Sequence, residues 1–112
     1  LKKYILLIPL CLILGAPKYT EASVPMVASW YECCKITANG EKFNPNGHTA
    51  AHKTLPFGTK LRVTYKGKSI IVRINDRGPY IKGRSLDLAR GAAQALGCIG
   101  VGICKVKVEK VS

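Results

Sequence analysis

Acid is what this chain has least of among its charged residues: six Asp and Glu stand against 18 Lys and Arg, a formal charge of +12 at pH 7 over 112 residues. Any chemistry that runs on carboxylates must therefore use very few of them. Histidine is scarcer still, with His48 and His52 alone. They are four apart, a spacing that ligates zinc on a helix, but turn residues precede them and no third ligand lies nearby. No C-x-x-C pair occurs, so the cysteines do not form a zinc-thiolate pattern either. No metal and no cofactor is expected. Aromatic residues make up 7%, and in a small domain most of them have to be core. The longest apolar run, Tyr4 to Leu14, is too short to span a bilayer.

That run follows Lys2 and Lys3 and precedes small residues around Thr20-Glu21-Ala22, the layout of a secretory signal. Residues 1–22 are accordingly read as a signal peptide and residues 23–112 as one exported domain, placed in the periplasm or the cell wall. The exported part carries +10. So basic a surface wants an anionic partner, and export favours anionic cell-envelope polymers over nucleic acid. A monomer is expected. Four cysteines remain after the signal: Cys33, Cys34, Cys98 and Cys104. An even number in a small exported domain reads as two disulfides. Adjacent Cys33 and Cys34 are poorly placed to close on each other, so each is expected to reach one of the C-terminal pair.

The chain is organised around Ile70 to Leu88. Ile70, Val72 and Ile74 alternate, then Asn75-Asp76-Arg77-Gly78-Pro79 breaks the run, so a buried strand delivers the Asp76 carboxylate into a turn. Upstream, Leu61, Val63 and Tyr65 alternate with polar residues, and Lys66-Gly67 joins the two runs as an antiparallel hairpin. Val27 to Tyr31 and Lys105 to Val111 read as strands at either end of the domain, and Ser85 to Leu88 as a short one. Ala89 to Leu96 is an Ala-rich helix ended by Gly97; its Gly91 lowers the propensity, which assigns its stability to tertiary packing. Thr37 to His48 carries two turn signals and reads as a loop. Five or six short strands with one helix predict a mainly β, small closed barrel.

Five segments resemble, in order and spacing, the rare lipoprotein A (RlpA-like) family: T-A-N-G-E (37 to 41), T-A-A-H (49 to 52), L-P-F-G-T (55 to 59), V-R-I-N-D-R-G-P-Y (72 to 80) and S-L-D-L (85 to 88). The resemblance implies a six-stranded double-psi β-barrel with one short helix, related in fold to expansins. It also implies action on bacterial peptidoglycan, by lytic transglycosylase cleavage of the glycan strand. Carried onto this chain, the family's positions are Glu41, His52 and Asp76.

A lytic transglycosylase needs a proton for the leaving oxygen, and the sugar's own C6 hydroxyl attacks the anomeric carbon, so one carboxyl group can give and retrieve a proton. A hydrolase needs a second carboxylate. On this reading Asp76 is the donor and base, Glu41 an alternate acid or a stabiliser of oxocarbenium charge, and His52 a hydrogen-bond partner that orients a carboxylate or sugar hydroxyl. Tyr80, Arg77, Thr37 and Asn75 are candidates for binding the glycan. Trp30, Tyr31 and Phe57 are further candidates for stacking on it. Asp87 is expected to form a buried ion pair with Arg73 or Arg84. The rival reading is a non-catalytic, expansin-like module that holds a peptidoglycan strand in the same groove.

Overall fold

A computed structural model describes residues 23–33 and 35–111. The expected signal peptide and Cys34 lie outside the described residues. Six strands close into a barrel in the order β1-β5-β2-β4-β3-β6. They are β1 (Val24–Tyr31), β2 (Thr49–His52), β3 (Lys60–Tyr65), β4 (Lys68–Asp76), β5 (Leu86–Ala89) and β6 (Cys104–Lys110), with one helix, α1 (Arg90–Leu96), between β5 and β6. β1 runs parallel to β5, and β2 parallel to β4; the other four pairings are antiparallel.

Period-2 alternation puts one face of each strand inside. Leu61 and Val63 of β3, Val72 and Ile74 of β4, Leu86 and Leu88 of β5, and Val106 and Val108 of β6 fill the interior. The β3–β4 hairpin turns on Lys66 (φ 48°) and Gly67 (φ 86°), two left-handed residues in succession as the type I′ turn requires. The T-A-A-H segment, too short to show alternation, is β2, held between β4 and β5. Its register with β4 slips by one: Ala50 lies opposite Ile74 but Ala51 opposite Asp76, so Asn75 is the inserted residue. Such a bulge re-aims the residues beyond it. Ile74 and Asn75 are both buried as a result, and Asp76 emerges beside Ala51.

The helix ends at Gly97, which is left-handed and donates its N–H to the Gln94 carbonyl. Gly91 is there for contact. Its N–H bonds the Pro45 carbonyl at 2.6 Å, and a Cβ on it would collide with the backbone of Asn46. Arg90 fixes the same loop through Asn46 Oδ1 at 2.8 Å. Tertiary packing thus holds the helix, as its sequence requires. Gly91→Ala is expected to destabilise the protein by about 1–3 kcal/mol although Ala is the better helix former; thermal unfolding of the two proteins checks it.

The expected cysteine pairing is overturned. Cys98 is bonded to Cys104, six residues away, and Cys33 is exposed and free. The segment after α1 folds back, with Gly102 N–H on the Cys98 carbonyl at 3.0 Å, and brings the two Cα atoms to 6.1 Å, within bridging range. So short a loop gives about 2 kcal/mol by the chain-entropy account, less than a bridge spanning the domain. Among the described residues no helix is long and apolar enough to cross a membrane.

Candidate active site

One row of residues crosses four adjacent strands. Ser29 of β1 is in register with Asp87 of β5, Asp87 with Ala51 of β2, and Ala51 with Asp76 of β4. Paired residues on neighbouring strands present their side chains to the same face. The two carboxylates therefore share a face, with only the methyl group of Ala51 on the strand between them. Two strand spacings put their backbones about 10 Å apart.

The two acids differ in what holds them. Both oxygens of Asp76 are acceptors: Oδ1 takes the backbone N–H groups of Ala38 and Arg77, and Oδ2 the Tyr31 hydroxyl, each at 2.9 Å. Tyr31 is itself braced by stacking on Phe43, with centroids 4.8 Å apart. Asp87 accepts from the Ser29 hydroxyl at 2.9 Å. Burial pushes its pKa up, and the charge of nearby Asp76 adds to the rise against the opposing influences of Ser29 and Arg84. Among the described residues the expected ion pair of Asp87 with Arg73 or Arg84 is not formed: Arg84 acts on it through its charge alone, and Arg73 has another partner. That partner is Glu41.

Arg73 grips Glu41 with two bonds, Nη1 to Oε2 at 2.6 Å and Nη2 to Oε1 at 2.9 Å, the fork geometry of a guanidinium on a carboxylate. Asn39 and Asn75 side-chain amides add bonds at 2.9 and 3.1 Å. Arg73 first, then these amides, hold the Glu41 pKa down to about 2. A carboxyl held this low is charged at neutral pH. Its geometry is that of a clasp. It anchors the loop of residues 37–41, whose Asn39 N–H bonds the Asn75 carbonyl at 3.2 Å and whose Ala38 N–H reaches Asp76.

His52, at the end of β2, accepts the backbone N–H groups of Thr54 and Leu55 on Nδ1, both at 3.1 Å. Burial, aided by Arg77 and Lys53, lowers its pKa. A neutral ring with Nδ1 as acceptor carries its proton on Nε2, leaving that N–H free of the turn. Arg77 stacks its guanidinium on Phe57 at 4.0 Å and donates to the backbone carbonyls of His52 at 3.2 Å and Asp76 at 3.4 Å. Tyr80, four residues past Asp76, is 76% exposed. Thr37 is buried and bonds Asn39 inside the loop at 2.6 Å. Asn75 is buried too, donating to Glu41 while its Oδ1 has no partner. Trp30 is half-buried and packs against the core.

Sequence reasoning missed Asp87 as a site residue, together with Ser29 and Ala51. Asp87 and Ala51 stood in the family segments S-L-D-L and T-A-A-H; what joins them to Ser29 and Asp76 is the register across β1, β5, β2 and β4, which no local pattern carries. Tyr31 was noted only as an aromatic, whereas its hydroxyl holds Asp76.

Residues 23–108 match the family model described as lytic transglycolase. Over 75 residues the chain is 57% identical to the "Probable endolytic peptidoglycan transglycosylase RlpA" of Nostoc sp. (strain PCC 7120 / SAG 25.82 / UTEX 2576), covering 65% of this chain and 20% of that protein. It thus spans about a fifth of that relative's length. Among solved structures, the Streptomyces papain inhibitor superposes with a TM-score of 0.70 at 19% identity, over 83% of this chain and 97% of the other. A mutant Clavibacter michiganensis expansin in complex with cellohexaose gives 0.68 at 18% identity, over 81% and 51%. At these identities the structural likeness is one of fold, and the same barrel evidently serves different ends. By its matched domain, its motifs and its double-psi β-barrel, the chain belongs to the RlpA-like lytic transglycolase family.

Proposed function

We propose that the domain is a peptidoglycan lytic transglycosylase, acting outside the cytoplasm on the bond between N-acetylmuramic acid and N-acetylglucosamine. The observation that carries this reading is the pair of carboxyl groups on one face, Asp87 biased toward its protonated form and Asp76 with both oxygens accepting. The raised carboxyl of Asp87 beside a carboxylate that only accepts assigns the two roles. The sequence alone gave Asp76 both proton steps; the pair divides them. Asp87 gives its proton to the glycosidic oxygen as the C1–O4 bond breaks. The C6 hydroxyl oxygen closes on C1 to make the 1,6-anhydro ring, and its proton passes to Asp76. Solvent exchange then resets both acids.

The remaining residues supply position and charge. Glu41 and its clasp hold the loop that orients Asp76. The His52 Nε2–H is a donor for a sugar hydroxyl, and exposed Tyr80 a platform for a pyranose face. A second reading, a module that holds a glycan without cutting it, draws on the expansin complex with cellohexaose. Digestion of sacculi, intact and stripped of stem peptides, separates them. Release of 1,6-anhydro products, identified by mass spectrometry, is expected; co-sedimentation with no release gives the binding module instead.

A further inference from the structure

We propose a second binding site, for a linear phosphate polyanion that carries neither bases nor lipid tails, in the cleft of about 320 Å³ lined by Lys66, Lys105 and Lys107. The lysines are carried by β6 and the β3–β4 turn, and β3 and β6 are separated from β5, the strand of Asp87, by β4 and β2 on one side and β1 on the other. Alternation along β6 buries Cys104, Val106 and Val108 and turns Lys105 and Lys107 outward. Lys107 is in register with Thr64 of β3 and Pro25 of β1, and Thr64 shares a hydroxyl contact of 2.7 Å with Ser69. Lys66 is added by the hairpin turn. No carboxylate lines the cleft, and the acid of β6, Glu109, is engaged by Arg62 at 3.0 Å.

The shape and the side chains choose among anions. A neighbouring depression of about 200 Å³ shares Pro25 and Lys105 with the cleft and continues it across β1 toward Ser85. Two joined hollows make a track, which suits a thread-like chain. Lysines act as point charges on flexible stems and do not offer the planar fork that selects carboxylates; they match repeated charge. No aromatic side chain lines either hollow, so bases have no stacking platform. None of the exposed large apolar side chains among the described residues lines them either, so nothing there inserts into lipid. The inference is independent of the groove and of its chemistry.

The test is calorimetric titration with long-chain inorganic polyphosphate, with backbone amide shifts recorded alongside. Expected is binding that weakens about tenfold or more in the Lys105→Gln/Lys107→Gln double variant, with a shallower salt dependence, and shifts concentrated at residues 64–67 and 105–107. The Lys35→Gln/Lys82→Gln variant loses the same charge elsewhere and is expected to bind as the parent does. Equal losses in both variants would reduce the site to net charge and overturn it. Single-stranded DNA and phosphatidylcholine vesicles containing phosphatidylglycerol are run as parallel probes; tighter binding of either through the same lysines would also overturn the assignment. Glycan release by the Lys105→Gln/Lys107→Gln protein is expected to be unchanged, which separates this site from the first.

Discussion

Asp87→Asn is expected to abolish glycan release while making the folded protein more stable at neutral pH. The two effects have one cause. Asparagine keeps an Oδ1 that can accept from the Ser29 hydroxyl, so the packing survives, but it has no proton to give. Loss of a general acid costs about 10²–10⁴-fold in rate. The stability effect follows from linkage: a carboxyl whose folded pKa is raised above its ordinary 3.8 binds its proton more tightly in the folded chain. Ionisation therefore takes stability away as pH rises past the ordinary value and through the raised one. The amide never ionises and escapes that loss. Thermal unfolding at pH 5 and pH 7, set beside sacculus digestion at the same pH values, checks both halves. A variant that is inactive and also less stable at pH 7 would return Asp87 to a structural role.

Glu41→Gln is expected to act through the loop. The glutamate is held down to about pKa 2 from an ordinary 4.5, so its ion pair contributes stability that is fully present above about pH 4.5 and is lost as pH falls toward 2. Side chains of Glu41 and Arg73 are 37% and 39% exposed, and solvent screens much of what the shift represents. About 1–2 kcal/mol at neutral pH is the expected loss for this two-pronged charged pair. The parent should lose stability across that acid window more steeply than the variant, whose melting temperature should be flatter there. Rate should fall about ten- to a hundredfold, since the Ala38 N–H that aligns Asp76 rides on the same loop. Melting curves from pH 2 to 7 and kcat on peptide-free glycan provide the readouts.

What could be read from residues alone was whatever a local pattern encodes. The β3–β4 hairpin was legible because Val63 and Val72 alternate with polar neighbours on either side of a Lys-Gly turn. The helix was legible because alanines run up to a left-handed Gly97. The arrival of Asp76 at a strand end, near Glu41 and His52, was legible through the family's motifs. Contacts made by long-range register were not. Asp87 was expected to pair with Arg73 or Arg84, yet Arg73 belongs to Glu41, 32 residues away, and Asp87 accepts from Ser29, 58 residues away. The bulge at Asn75 decides which way Asp76 emerges, and nothing in I-N-D announces a bulge. Cysteine spacing fails for the same reason: the fold-back after α1 that joins Cys98 to Cys104 is a matter of backbone path.

The strand that closes the barrel is the last of the six in chain order. β6 pairs with β1 at one edge and with β3 at the other, so a chain ending before Cys104 leaves two bare edges and an open, half-covered core. Folding of the domain therefore waits on β6. The barrel has no finished intermediate to settle into before that strand is available, and it completes its structure in one step dominated by contacts between distant segments.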